Sequence, residues 1–275
     1  LHEAMPEFFA SRFPGLARGP VRALLAWAER ISIGAASHAL AANDALGERL
    51  LGLGIPAERL TVIPNVPSLE RFDPERHPRR PFPEDGSLRL VYTGAVTPTY
   101  DLGLAMDALA RITAERPGLA VSLDVYGRGD AAEELGARAA ELGVGAAVRF
   151  HGRIPIEAIP DVLAAADAGL APVSGSEFTR LSFSTKLLEY GAMRLPVVTA
   201  RLPLAVRLLG DAVAFYEPGD AASLAAAILG LVDDPAGRTA RIETMAAIVR
   251  DHSWEAWRGR YTELIDRLAR RRRGR

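Results

Sequence analysis

The chain has a single lysine among its 33 basic residues, and the position of that lysine suggests chemistry. Lys186 stands in STKLLEYGAMRLPVV (184–198), where the polar loop SGSEFTRLS gives way to a segment of helical period. A helix start carries about half a positive charge and unpaired N–H donors, which suits phosphate and disfavours an ammonium group. A lysine retained there implies a negative ligand. Ser182 or Ser184 can cap the helix, and Thr185 shares its first turn. Glu189 lies three residues on, close to the same face. A cation for a diphosphate and a carboxylate for a sugar diol fit this spacing. An ordinary surface ion pair fits it too.

Two further loops carry glycines at strand ends. GRGDAA (127–132) has the form G-x-G-x-x-A after an expected strand, as in a dinucleotide fingerprint. That fingerprint needs an acid about 20 residues on. Here the next strand ends Phe150-His151-Gly152-Arg153, without one. Gly127 and Gly129 then read as letting a ligand approach a strand's carboxyl end, or as a tight turn. VYTGAVTPTYD (91–101) places Gly94 and small residues after another strand, with Asp101 as a candidate cap for the next helix. No D-x-D occurs, and His38, His77, His151 and His252 lack metal-ligand spacing.

The elements that must hold these residues alternate from about residue 88. Expected strands are LRLVYTG, LAVSLDVYG, AVRFHG, AGLAPV, LPVVTA and AVAFYE. Helices are expected at 101–115, from 130, near 155–165, at 184–193 and at 203–209. Continuously apolar strands separated by helices predict an α/β fold with a doubly wound, Rossmann-like parallel sheet. Residues 1–65 hold about two βα units (helices 20–32 and 44–53, strands 37–43 and 60–65), the tail end of a second Rossmann-like domain. Residues 66–87 are rich in Pro and charge without a period, and read as a linker. The complete domain spans 88–252, with Asp220 expected to cap a helix that stops at Pro235. Residues 253–275 form a terminal helix with an apolar stripe of Trp254, Trp257, Tyr261, Leu264, Ile265 and Leu268. That helix is expected to pack on the body, crossing back to the first domain, and it ends in a basic tail.

Composition narrows the function classes. The 275 residues are 49% hydrophobic and 24% charged, an ordinary globular balance. Cysteine is absent, which excludes disulfides, a thiol nucleophile and Cys-ligated zinc. It also suits a cytoplasmic location. The net charge of −1 hides an Arg-rich end, RLARRRRGR, behind an acidic body that argues against nucleic acid as a partner. That basic end could meet anionic lipid headgroups at the inner membrane face. No apolar run is long enough to span a bilayer. The chain begins at Leu1 rather than Met, and residue 1 reads as a truncation point.

The ordered pieces VIPNV, VYTG, DVYGRGD, VRFHGRIP, ADAGLAPV, STKLLEYGAMRLPVV and FYEPGD, with the last Trp/Tyr helix, carry a resemblance. Over residues 36–268 the chain resembles the C-terminal domain of GT-B-fold, family 4-like retaining glycosyltransferases. The resemblance implies transfer of a sugar from a nucleotide-diphosphate-sugar donor to a glycan or lipid-linked acceptor, without metal or cofactor. Glu189 matches the second Glu of the family's Glu-x7-Glu pattern and would hold the ribose. The first Glu falls at Leu181, a departure that bears on how the hexose is read. Gly94 and Ala95 would approach the diphosphate, with Lys186 and then Arg180 supplying positive charge. Ser184 and Thr185 would meet the donor at the helix start. Arg153 and Ile154 would lie beside the base, and Gly127 and Gly129 would line the same cleft. His2, in LHEAMPE, resembles a residue of the acceptor-side loop that approaches the donor sugar; it also fits an ordinary loop position. The acceptor side would lie in the first domain, so a chain without the rest of that domain should bind donor and transfer nothing. A GT-B-fold epimerase and a donor-binding module without transfer activity are the alternatives.

Overall fold

The computed structural model describes residues 4–13, 15 and 19–273. Among these residues eight strands form two parallel sheets. The small sheet pairs β1 (Ala39–Ala41) with β2 (Leu60–Val62). The large one contains β3 (Ser87–Thr93), β4 (Ala120–Tyr126), β5 (Val148–Gly152), β6 (Ala168–Ala171), β7 (Val197–Ala200) and β8 (Ala214–Tyr216). Its order is β5-β4-β3-β6-β7-β8. Chain progression reverses direction between β3 and β6, and in such sheets ligands bind in the crevice beyond the strands' carboxyl ends at that point.

Both faces of the large sheet are covered, as its apolar strands require. Leu88, Leu90, Tyr92, Leu123 and Val125 pack under helices Leu102–Glu115 and Ala221–Asp233. On the other face Val91 and Val197 meet helices Lys186–Ala192 and Pro235–Asp251 through Leu187, Leu188, Met245 and Val249. Asp220 caps its helix as expected, accepting from Ala222 N and Ser223 N. Around the small sheet a separate core gathers Ala41, Leu46, Leu50 and Ile55. Its helix Asp44–Gly52 is capped by Asn43, which accepts from Leu46 N at 2.9 Å.

Two elements differ from the sequence expectation. A helix, Met5–Arg12, forms where no element is expected, and the polar loop before Lys186 contains a one-turn helix, Glu177–Arg180. These two helices meet edge to face through Phe8 and Phe178, with ring centroids 5.1 Å apart. Arg49 joins the first of them to the small sheet by donating to both oxygens of Glu7 at 3.1 and 3.0 Å, and to Glu29 at 2.7 Å.

Residues 66–86 contain no helix or strand, yet they are firmly attached. Phe72 is buried in the second core. Arg79 donates to backbone carbonyls of Ala166 at 3.1 Å and of Arg194. Arg80 forks onto the fully buried Asp167 at 2.9–3.1 Å, and Asp167 also accepts from Arg89 N at 2.7 Å. The terminal helix, Trp254–Arg273, begins against the same segment. Trp254 N donates to Pro67 O at 2.8 Å, while Glu255 accepts from Ser68 Oγ, Leu69 N and Glu70 N at 3.0–3.4 Å. Four donors hold that small knot; burial opposes the charge on Glu255, but the bonds from Leu69 N, Ser68 Oγ and Glu70 N outweigh it and keep the carboxyl below its ordinary pKa. The apolar stripe of this helix is only partly covered: Leu264 is buried, whereas Trp254 and Ile265 are exposed. Trp254 and Tyr261 line a groove with Leu40, Ala41 and Ala42 at the small sheet. Among the described residues no helix is long and apolar enough to cross a membrane.

Candidate functional site

Helix Lys186–Ala192 is set against the rim of the large sheet by Tyr190. The Tyr190 hydroxyl accepts from Thr93 N at 2.9 Å and lies 3.2 Å from Thr93 Oγ1, at the last residue of β3. Its ring fits because β6 presents Gly169, where a Cβ would stand 2.3 Å from the ring. Lys186 is one turn earlier on the same helix face. Docking Tyr190 on Thr93 therefore delivers Lys186 to Gly94, the next residue of the chain. A Cβ on Gly94 would meet Lys186 Nζ at 2.7 Å, and Gly94 has φ 145°, a backbone conformation that L side chains rarely adopt.

Lys186 is buried, and among the described residues it forms no salt bridge. Its Nζ faces two aromatic rings, 4.0 Å from the centroid of Tyr92 and 4.3 Å from that of Tyr100. Burial pulls the ammonium pKa down to about 7, against a smaller opposing effect of Glu189. Burial pushes the Glu189 carboxyl up, offset in part by Lys186 and Arg71. Tyr92 is fixed in turn by donating its hydroxyl to Ala95 O at 2.6 Å.

The neighbouring loops are joined backbone to backbone. Gly94 N donates to Tyr126 O at 2.9 Å, Val96 N to Arg128 O at 3.0 Å, and Gly127 N to Gly152 O at 2.8 Å. Gly127 and Gly129 are needed for this contact. A Cβ on Gly127 would fall 1.7 Å from Gly94 O, and one on Gly129 would fall 1.8 Å from Val96 O. Gly127→Ala should therefore separate the loops after β3 and β4 and cost about 1–3 kcal/mol of stability, the range for overpacking. Urea unfolding reads the loss; an unchanged midpoint would contradict it.

The structure thus brings together Lys186, Gly94, Ala95, Gly127 and Gly129 at the carboxyl ends of β3 and β4. Arg153 and Ile154 follow Gly152 at the adjacent end of β5, the first exposed and the second half-buried. Beside them His151 stacks on Tyr126, 4.4 Å between centroids, and shares a 2.6 Å hydrogen bond with Asp124. Arg180 is exposed at the end of its one-turn helix. His2 lies outside the described residues.

Two capping expectations are corrected. No side chain caps helix Lys186–Ala192, whose N-cap is Thr185. Ser182 Oγ donates instead to Phe178 O at 3.0 Å, closing the preceding turn, and Ser184 contributes its carbonyl, accepting from Leu187 N. Asp101 is the N-cap residue of its helix, in the left-handed region with φ 35°, but its side chain makes no capping hydrogen bond. Tyr92, Tyr100, Tyr190 and Gly169 were not foreseen as parts of the site. The Lys-x3-Tyr spacing in STKLLEY was the available signal for Tyr190.

Residues 87–234 match the family model for glycosyl transferases group 1. The chain belongs to this family. Its fold is that of the GT-B glycosyltransferases. The chain is 30% identical over 218 residues to D-inositol 3-phosphate glycosyltransferase of Geodermatophilus obscurus, covering 74% of this chain and 46% of that protein. Sucrose-phosphate synthase from Thermosynechococcus elongatus superposes with a TM-score of 0.73 at 19% identity, over 91% of this chain and 62% of that one. The Anabaena protein HepE, solved in complex with UDP, superposes with a TM-score of 0.69 at 21% identity, over 84% and 64%. This group 1 chain spans about half the length of the curated relatives it matches.

Proposed function

We propose that this chain binds the nucleotide-diphosphate-sugar donor of a retaining, metal-independent glycosyltransferase. The observation that carries the reading is Lys186: a buried ammonium group without a salt bridge among the described residues, presented at Gly94 on the sheet's switch point. An anionic diphosphate is the ligand such a group lacks. HepE, which shares the fold, binds UDP and UDP-glucose. No D-x-D is present in the sequence to hold a metal on the diphosphate, so Lys186 takes that charge.

In the reaction the bond from the sugar's anomeric carbon to the diphosphate oxygen breaks, and the bond to the acceptor oxygen forms on the same face. The acceptor's proton passes to an oxygen of the departing diphosphate. Lys186 stabilises that diphosphate as its charge develops. Glu189 accepts hydrogen bonds from the ribose, Gly94 leaves room for the phosphates to approach, and Ala95 offers its backbone N–H to them. The acceptor is a glycan or a lipid-linked molecule, bound toward the small sheet. The Arg-rich end is the candidate contact with an anionic membrane face.

A thermal-shift panel of UDP, GDP, ADP and their sugars tests the donor reading, since a ligand at 100 times its Kd stabilises by about 2.7 kcal/mol. Absence of any shift would refute it. Glu189→Ala should weaken UDP, GDP or ADP binding by about 1.5–3 kcal/mol, the worth of a hydrogen bond to a charged group. It should leave inorganic pyrophosphate affinity nearly unchanged. Calorimetry showing equal losses for both ligands would contradict a ribose contact.

A further inference from the structure

Resting on the donor reading, we infer that Tyr92 and Tyr100 are positioning residues for Lys186, forming a ring-walled seat that couples donor binding to the uptake of a proton. Nζ lies 4.0 and 4.3 Å from the two ring centroids. Aromatic faces attract an ammonium group but supply no neutralising charge. The other groups around it supply little more. Tyr190, one turn away, is engaged with Thr93, and burial pushes both its phenol and that of Tyr92 up, so neither becomes an anion. Among the described residues Glu189 is the one carboxylate acting on Lys186; it forms no salt bridge with it and also feels Arg71 from the 66–86 segment. Gly94 presents backbone only. The seat therefore holds the amine in place while leaving its charge uncompensated, and burial brings its pKa down to about 7.

A diphosphate arriving at Gly94 supplies the missing charge and favours the protonated amine. The free site is mostly unprotonated above pH 7 and the occupied site is protonated, so binding takes a proton from solution. Affinity is then full below pH 7 and falls as pH rises, approaching tenfold per unit. The rings set where the fall begins. Removing Tyr100 would let water reach Nζ, which raises its pKa by more than the lost ring attraction lowers it, and so move the fall to higher pH.

The experiment is calorimetry with UDP-glucose, ADP-glucose and GDP-mannose at pH 6.5, 7.5 and 8.5, each in two buffers of different ionisation enthalpy. The phosphates of these diesters do not titrate in that range. At pH 8.5 the expected result is uptake of about one proton per donor bound, with affinity roughly tenfold or more below that at pH 6.5. Lys186→Arg, which stays protonated, should bind with a flat pH profile and no uptake. Tyr100→Leu should bind at pH 6.5 with its decline displaced upward. Binding without proton uptake at pH 8.5, or a Tyr100→Leu profile that coincides with the wild type, overturns the inference and leaves the donor reading standing. Failure of all three donors to bind at any pH overturns both.

Discussion

Lys186→Met should yield a protein that is more stable and binds donor less well. Methionine nearly matches the volume of lysine and has no charge to desolvate. The lysine's pKa is pulled from 10.5 to about 7 in the folded protein, so the native state binds fewer protons than the unfolded chain. The cost of burying the ammonium is fully present below pH 7 and fades as pH rises toward 10.5. At pH 7 the substitution should stabilise by on the order of 3 kcal/mol, raising Tm by several degrees. The gain should shrink by pH 9. Affinity for a nucleoside diphosphate at pH 7 should fall by about 1.5–3 kcal/mol. Thermal unfolding at both pH values and calorimetry measure the two effects. A lower Tm, or an undiminished affinity, would mean that Lys186 serves the fold rather than a ligand.

Asp167→Ala should have the opposite character, a large loss of stability far from the phosphate position. Asp167 is fully buried just before β6, and it ties the 66–86 segment and β3 to that strand through Arg80 and the backbone N–H of Arg89. Removing one member of a buried ion pair costs about 3–5 kcal/mol. Arg80 retains some access to water, which places the expected loss near 3 kcal/mol. Asp167→Asn keeps one acceptor oxygen and should lose less. Urea denaturation compares the three proteins, and a loss below about 1 kcal/mol for Asp167→Ala would show that the arginines find other partners. Donor affinity measured well below the unfolding transition should change little.

The contrast between these residues shows what the sequence could disclose. Strand and helix positions in the large sheet were legible because each strand is an apolar run and each covering helix repeats its apolar residues along one face. Lys186 stood out because its type is rare in this chain and its position is unfavourable for a cation. Asp167 and Arg80 gave no such signal. They are 87 residues apart, and the Pro-rich, charged segment around Arg80 has the composition of a loose connection. Only the folded chain brings those charges together. The capping errors have a similar cause: Ser182 and Ser184 are both good caps by type, but the unforeseen turn at Glu177–Arg180 claims the Ser182 hydroxyl. Gly127 and Gly129 were noticed for the space they leave, and the space turned out to be filled by the adjacent loop.

The knot at Pro67 and Glu255 has a mechanical consequence. The polypeptide crosses between the two sheets once on its way out and once on its way back, and the knot fastens these two passages side by side. Sliding one lobe along the other would tear it apart. A tilt of the small sheet would also have to part Arg207 from Asp44 and Glu48, and Asn43 from Leu181 O, so the two lobes are clasped at several points rather than hinged at one.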